Sequence, residues 1–181
     1  MNNCSIINNQ VFRNGTKIFE NKNVSGDDFF LLAYSFLEIS YPKFHRLDSS
    51  SKLAILTTSL IFEGSDEYDE EKTGIITVSR NGSEISDKVF HSSLNSKNRS
   101  RNPSKFSYTL PSIPMGEICI RLGIRGENLN LIVSRLSRRI KSALIREFIS
   151  AGMDRVIFVE LNYSGSEFRC DASLYTKNSK F

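Results

Sequence analysis

The sequence has few of the residues that build disulfide frameworks and metal centres. Its 181 residues include three cysteines and two histidines. Cys4, Cys119 and Cys170 are odd in number, widely spaced and without a neighbouring histidine. This pattern indicates reduced thiols rather than a disulfide framework or a zinc site. Phosphate-loop spacing is also missing, and we predict neither a metal nor a cofactor.

Long apolar runs are missing as well. No run approaches the ~20 residues that cross a bilayer. The first ten residues, MNNCSIINNQ, have neither the basic start nor the apolar core of a signal peptide. Because apolar residues make up 39% and charged residues 24% of the chain, the composition is that of an ordinary globular protein. We therefore expect a cytoplasmic protein with one domain spanning residues 1–181.

Charge is segregated along the chain behind a net charge of +4. An acidic run extends from Glu63 to Glu71, and a basic loop contains Lys97, Arg99, Arg101 and Lys105. A second basic group lies between Arg135 and Arg146. Such groups suit an acidic partner, namely a nucleic acid, a carrier protein or a membrane surface, and they equally suit a solvated face.

Apolar periodicity predicts an α/β layered fold with a mainly parallel sheet of five strands and helices on both faces. Asp48 and the serines after it are suited to cap a helix, and Ser134 is suited to cap a long helix reaching about Ala151. In that long helix, residues spaced by four define a core face: Leu136, Ile140, Leu144 and Phe148. The predicted strands are Ser5 to Ile7, Thr16 to Phe19, Thr73 to Ser79, Leu129 to Val133, Asp154 to Leu161 and Glu167 to Tyr175; the first two are weak.

One stretch carries a family resemblance. Asn102-Pro103, Leu110-Pro111, the run from Gly116 to Gly123, and Gly126-Glu127-Asn128 follow one another in an order that resembles the N-terminal half of a β-ketoacyl synthase, a condensing enzyme of the thiolase fold. The segment FHRLDSSSKLAILTTSLIF, which begins at Phe44, is similar to another part of that half. The resemblance covers roughly Phe44 to Leu161. It implies half of a thiolase-like fold.

The resemblance also implies lost catalytic machinery. The family places a nucleophilic cysteine at a tight turn between a strand and a helix, where backbone amides and the helix N-terminus stabilise a thiolate. In this chain Arg135 occupies that position. Either Arg135 and Ser134 fill the old pocket by an ion pair or by polar contacts, or the arginine points to solvent. The family's second half carries the catalytic histidines, whereas His45 and His91 fall where solvent or packing roles are expected. We predict no catalytic residue.

A lone half of this fold is expected to expose a broad apolar surface and to require a partner. The resemblance implies a full-length ketosynthase or a second copy of the chain, with the strand from Leu129 to Val133 joining the partner's sheet. The predicted interface and scaffold residues are Pro111, Gly116, Gly126, Asn128, Leu129, Leu131 and Val133. The predicted contacts with an acyl carrier protein are Lys97, Arg99, Arg101, Arg138 and Arg139.

Three functions follow as hypotheses. The first is a non-catalytic, chain-length-factor-like subunit that pairs with a ketosynthase in fatty acid, polyketide or polyene pigment biosynthesis. The second is a stand-alone acyltransferase of the 3-oxoacyl synthase type that uses Cys119 or Cys170. The third is a structural dimerisation or binding module without acyl chemistry. A nucleic-acid partner is not predicted, because the resemblance places Phe106 and Tyr108 in a buried loop rather than on an exposed binding surface.

Overall fold

A single mixed sheet organises the chain. The computed structural model describes residues 2–62, 67–94 and 103–179. Within these residues the sheet has seven strands in the order β3-β2-β1-β7-β6-β4-β5. Their bounds are β1 Asn3–Ile7, β2 Gln10–Arg13, β3 Thr16–Glu20, β4 Thr73–Ser79, β5 Asn128–Ile132, β6 Arg155–Tyr163 and β7 Phe168–Thr176.

The predicted fold class is confirmed, but the strand number and the strand directions differ from the prediction. Strand β4 pairs in parallel with β5 on one side and with β6 on the other. The other four pairings, which link β6, β7, β1, β2 and β3, are antiparallel. The prediction missed β2, a short strand in a polar segment. Asn14 and Gly15 form the turn between β2 and β3, and their φ angles of 49° and 81° suit a tight hairpin.

Helices cover both faces of the sheet, as predicted. The helices are α1 Gly26–Phe36, α2 Ser49–Ser59, α3 Glu84–Leu94, α4 Pro103–Ser107, α5 Ile113–Leu122 and α6 Arg138–Ser150. Two 3-10 turns, Phe44–Arg46 and Leu60–Phe62, flank α2. No helix among the described residues is both long and apolar enough to cross a membrane.

The first face of the sheet holds the main core. Helix α2 packs against β1, β6 and β7 and is flanked by α1 and α5. All six residues from 53 to 58 of α2 are buried. Helix α2 is therefore buried around most of its circumference rather than along one apolar stripe, because neighbouring elements surround it on nearly every side. Asp48 caps it as predicted, with its carboxylate accepting a hydrogen bond from the amide of Ser51.

The second face carries α6 over a smaller core. Ile145 of α6 is buried against Ile76, Val156 and Phe158 of the sheet. The predicted core face of α6 is only partly correct, because Ile140 is half exposed while Leu144 and Phe148 are partly buried. The packing face is therefore centred on Ile145, and the first turn of the helix carries no buried residue.

The sheet beside α6 is polar. Glu160 of β6 forms an ion pair with Lys141 of α6, and Arg169 and Asp171 of β7 form another. A recess of about 450 Å³ lies over these groups. The exposed large apolar side chains are instead spread over several elements, namely Leu31, Leu32, Phe36, Val89, Leu94, Phe106, Leu110, Ile120, Ile132 and Ile140.

Candidate functional site at the end of strand β5

Strand β5 leads into a tight elbow. Val133 continues the ladder by donating its amide hydrogen to the carbonyl of Ser79 at 2.9 Å. The hydroxyl of Ser137 accepts a hydrogen bond from the amide of Ile140, so Ser137 is the N-cap of α6. The prediction of Ser134 as the cap is wrong. Residues 134–136 are used to turn the chain from the strand onto the second face, and the helix begins only at Arg138.

Arg135 lies in this elbow and is exposed. It lines a small recess of about 200 Å³ at the carboxyl ends of β4, β5 and β6, together with Val78, Ser79, Arg80, Val133, Ser134, Leu136, Glu160 and Asn162. Glu160 is the acidic residue of the recess, but it accepts a hydrogen bond from Lys141 at 2.8 Å. Within the described residues Arg135 forms no ion pair. Of the two expected arrangements, the structure shows the one in which this side chain faces solvent.

The three thiols lie elsewhere and are poorly suited to nucleophilic chemistry. Cys4 and Cys170 are buried in the main core. Burial raises the pKa of Cys170 to about 12, and burial also raises the pKa of Cys119. Because the thiolate is the reactive form, a raised pKa keeps both groups protonated near neutral pH and lowers their reactivity. An acyltransferase that used Cys119 or Cys170 would therefore lack an activated nucleophile.

The two histidines are also separate from the elbow. His45 is exposed on the 3-10 turn before α2, and its ring contacts the edges of Tyr34 and Phe44 at centroid distances of 5.6 and 5.9 Å. His91 is exposed on α3. Neither histidine lines the recess beside Arg135. Among the described residues, no group of three or more histidine, cysteine, aspartate or glutamate side chains is arranged to hold a metal ion.

The predicted carrier-protein contacts are described only in part. Arg138 and Arg139 are exposed in the first turn of α6. Cations are disfavoured at a helix N-terminus by about 0.3–1 kcal/mol, so the two arginines oppose the stability of their own helix. Lys97, Arg99 and Arg101 lie outside the described residues. Phe106 is 57% exposed rather than buried, although its ring packs against Phe90 at 5.5 Å.

Strand β5 forms an open edge of the sheet. Its register with β4 is continuous from Asn128 to Ile132. The amide of Ile75 bonds to the carbonyl of Glu127, and the amide of Val133 bonds to that of Ser79. In a parallel ladder this alternation directs the backbone groups of the even-numbered residues, 128, 130 and 132, away from β4. Within the described residues no further strand pairs with these outward backbone groups.

The opposite edge of the sheet, β3, is protected. It carries Lys17 and Glu20, which form an ion pair with each other. Its pairing with β2 is interrupted by a register shift between Val11 and Phe12. Charges and bulges are the devices that keep an edge strand from pairing with another chain. Strand β5 has neither a charge nor a bulge, so only this edge has the features of a strand that pairs with a partner.

The predicted scaffold residues have different local roles. A Cβ on Gly126 would lie 2.5 Å from the carbonyl oxygen of Thr73, so this position requires glycine. Gly116 is different, because a Cβ there would meet no atom within 4 Å. Pro111 and Ile132 both lie close to Gly82 and support the end of β5. Leu129, Leu131 and Val133 pack partly buried against the core beneath α6.

Solved structures of known proteins share this architecture. One chain of the ketosynthase ApeO in complex with its chain length factor ApeC, from Xenorhabdus doucetiae, matches 99% of this chain with a TM-score of 0.65 and 14% identity. This chain spans 78% of that one. The ishigamide ketosynthase/chain length factor matches 74% of this chain, with a TM-score of 0.61 and 14% identity. The chain has a thiolase-like ketosynthase fold.

The coverage of the two structures differs. This chain spans 44% of the ishigamide chain, which is less than half of its length. No family model and no curated protein sequence matches the chain. The likeness therefore concerns the fold and confirms the resemblance found in the sequence.

Sequence reasoning missed a polar network that anchors α5. The Tyr41 hydroxyl donates to Glu117 at 2.6 Å, and the Lys43 ammonium lies 3.4 Å from the same carboxylate. Burial and this hydrogen bond raise the pKa of Tyr41. Glu117 lies inside α5, which begins at Ile113. Its role is therefore to hold α5 against the segment before α2. The separation of 76 residues between Tyr41 and Glu117 gave no sequence signal of this contact.

Proposed function

We propose that this chain is a non-catalytic, chain-length-factor-like subunit that pairs with a full-length ketosynthase. The proposed setting is carrier-protein-dependent biosynthesis of fatty acids, polyketides or polyene pigments. The observation that carries the proposal is the elbow: a ketosynthase-like fold has Arg135 where the resemblance places the nucleophile. The two matching structures are a ketosynthase in complex with its chain length factor and a ketosynthase/chain length factor.

The open edge supports an association through β5. A partner strand that adds antiparallel to β5 would satisfy the outward backbone groups of Asn128, Asn130 and Ile132. Leu129, Leu131 and Val133 would continue the apolar layer beneath α6 into the partner. Pro111 and Gly126 act as scaffold, since they support the two ends of this segment. Gly116 offers a surface on α5 that another chain can approach closely, because no side chain occupies the space beside it.

An acidic carrier protein is the proposed third component. Arg138 and Arg139 are exposed beside the elbow, where they oppose the helix dipole. A docked anionic surface would relieve this repulsion and would also benefit from the positive end of α6. Lys97, Arg99 and Arg101 belong to the same proposed contact. The interaction is expected to weaken with added salt, because exposed charges are screened beyond about 8–10 Å at physiological ionic strength.

The decisive experiment is co-expression with each ketosynthase of the source organism. We expect a complex of equal stoichiometry, measured by light scattering after size exclusion, and a change in the activity or product length of the ketosynthase. The proposal fails if the chain elutes alone beside every ketosynthase and changes no product.

A matched pair of variants localises the interface. Asn130→Pro removes a backbone N–H that points to the open edge and leaves the ladder to β4 in place. Both variants lose the hydrogen bond that the Asn130 side chain accepts from the Thr77 hydroxyl. Asn130→Ala, however, keeps the backbone N–H. We expect the proline variant to lose the complex and the alanine variant to retain it. Equal behaviour of the two variants would place the interface elsewhere.

Self-association is a second candidate because β5 is also complementary to itself. In an antiparallel pairing centred on Leu131, Leu129 would face Val133 of the other copy. Glu127 would face Arg135 in the same register, which places opposite charges at both ends. Such cross-strand pairs contribute about 0.2–1 kcal/mol each. A purified chain that is dimeric alone and ignores every ketosynthase would favour this structural role over the first proposal.

A further inference from the structure

Another cavity lies away from the elbow, where α3 and α4 meet α1, α2 and the end of β6. Its volume is about 420 Å³, within the range typical of small-molecule sites. Its walls come from the first turns of α1 and α2, the 3-10 turn before α2, helices α3 and α4, and the end of β6. No residue of the elbow from 133 to 137 contributes to it.

The cavity has an apolar side. Ile85 and Val89 of α3 line it together with Leu47 and the rings of Tyr108 and Tyr163. Helix α3 has no buried residue, and Val89 remains 51% exposed although it faces this cavity. The underside of α3 is therefore apolar surface without a complete packing partner in the described chain.

Lys52 supplies an unusual charge at the floor of the cavity. Its side chain is only 13% exposed. The nearest carboxylate oxygen, Oδ1 of Asp27, is 3.8 Å away, which is too long for a hydrogen bond. That oxygen already accepts a hydrogen bond from the Ser49 hydroxyl at 2.8 Å. Within the described residues the Lys52 ammonium donates no hydrogen bond, so its N–H donors can serve a ligand.

The other acidic group of the cavity is engaged on both oxygens. One oxygen of Asp48 accepts from the Ser51 amide at 3.0 Å, and the other accepts from the Ser86 hydroxyl at 2.8 Å. The hydrogen bond from Ser86 links α3 to Asp48, the N-cap of α2. Asp48 therefore holds the walls together, and within the described residues the contact of Lys52 with a carboxylate is its long ion pair with Asp27 at 3.8 Å.

The charges of the cavity do not balance. Its cations are Arg46, Lys52 and Lys105, and its anions are Asp27 and Asp48, so three positive charges face two negative ones. One added negative charge makes the site neutral. An apolar wall opposite an ammonium that donates no hydrogen bond within the described residues suits a molecule with an apolar body and one anionic end.

We propose that this cavity binds an amphipathic monocarboxylate. Its carboxylate forms an ion pair and hydrogen bonds with Lys52, and its apolar body lies against Ile85, Val89 and Tyr108. Arg46 and Lys105 stand at the rim and attract the anion. The site is independent of the β5 edge, so it does not rest on the proposed association with a ketosynthase.

The test is calorimetric titration of the purified chain with octanoate below its micelle concentration. We expect saturable binding of one molecule that is at least tenfold tighter than the binding of octanol. Octylammonium is expected not to bind. Octyl phosphate carries up to two charges and is expected to bind more weakly than octanoate. Equal affinity for octanol and octanoate, tighter binding of octyl phosphate, or the absence of saturable binding would each overturn the assignment.

Variants of one lysine identify the site. Lys52→Met keeps the length of the side chain but removes the charge, and we expect it to lower octanoate affinity at least tenfold. Lys52→Arg is expected to retain measurable binding. Lys22→Met is the matched control, because Lys22 is 74% exposed and lies outside the cavity. Far-ultraviolet circular dichroism confirms that each variant is folded, and unchanged affinity in a folded Lys52→Met protein contradicts the proposal.

Discussion

Gly126 shows how strongly a single residue constrains the approach to β5. A Cβ at this position would lie 2.5 Å from the Thr73 carbonyl oxygen and 2.9 Å from that of Glu71. Both are backbone atoms, so the chain must move. We expect Gly126→Ala to lower the free energy of unfolding by about 1–3 kcal/mol, the usual cost of overpacking.

Gly116→Ala is the control for Gly126→Ala. Gly116 lies inside α5 and has open space around it. The substitution to alanine is expected to raise the free energy of unfolding by about 0.5–1 kcal/mol, since glycine is a poor helix former. Urea unfolding measures both variants. Equal changes in the two would show that the close approach at Gly126 carries no cost.

The thiols provide a residue-scale test of the remaining enzyme hypothesis. Cys170 is fully buried and burial raises its pKa to about 12, while burial raises the pKa of Cys119 above its ordinary value. We expect neither thiol to react with iodoacetamide or with an acyl thioester at pH 7–8 within minutes, and all three thiols to react after denaturation. Intact mass measurement resolves the two states. Rapid acylation of Cys119 or Cys170 in the folded protein would restore the acyltransferase hypothesis.

At the scale of elements, the open edge of β5 predicts a pattern of amide exchange. The amides of Asn128, Asn130 and Ile132 point away from β4, whereas those of Leu129 and Leu131 point toward it. In the free monomeric chain the even-numbered amides are expected to exchange faster with deuterium. Addition of a partner strand should slow only the even-numbered set. Hydrogen exchange followed by nuclear magnetic resonance distinguishes this alternation from uniform protection, which would argue against an open edge.

Helix α6 predicts opposite changes in stability and in carrier binding. Replacing Arg138 and Arg139 by glutamate places favourable charges at the helix N-terminus and is expected to stabilise the chain by about 0.3–1 kcal/mol per residue. The same change is expected to weaken binding of an acidic carrier protein at least tenfold. Thermal unfolding and titration measure the two effects. Arg146→Glu, at an exposed position about two turns further along α6, is the control for charge alone, and an equal loss of binding there would mean that the contact is not local to the elbow.

The sequence predicted elements more reliably than it predicted contacts. Strands with continuous apolar runs, such as β4 and β6, were located to within two residues, because burial on both faces leaves an unambiguous pattern. Strand β2 was missed since its four residues, Gln10 to Arg13, are mixed in polarity. The cap of α6 was misplaced by three residues. Ser134 and Ser137 are both good caps, and only the path of the elbow decides between them.

The candidate functional site, like the fold, was predicted only in part. Motif order along the chain predicted a turn between a strand and a helix around Arg135, and the structure has such a turn between β5 and α6. It did not indicate the cavity around Lys52. That cavity depends on the placement of Asp27, Ser49 and α3 in three dimensions, and residues so far apart in sequence gave no joint signal.

At the scale of the whole molecule, both cores share one sheet. The main core covers the first face of β1, β6 and β7, and the smaller core covers the second face of β4 and β6. A strand such as β6 contributes alternate residues to the two cores, with Val159 in one and Phe158 in the other. Neither core can be lost while the other keeps its sheet intact. We therefore predict one cooperative unfolding transition, with a slope of about 1–3 kcal/mol/M in urea.

Two core variants test this cooperativity. Leu56→Ala opens the main core and Ile145→Ala opens the core beneath α6, and each is expected to cost about 2–5 kcal/mol. Because the chain contains no tryptophan, tyrosine fluorescence and far-ultraviolet circular dichroism are the probes. Each variant should move the same single transition, with the two probes coincident. If Ile145→Ala shifted only an early partial transition and left the main one unchanged, the core beneath α6 would be a separate unit whose stability depends on a partner at the β5 edge.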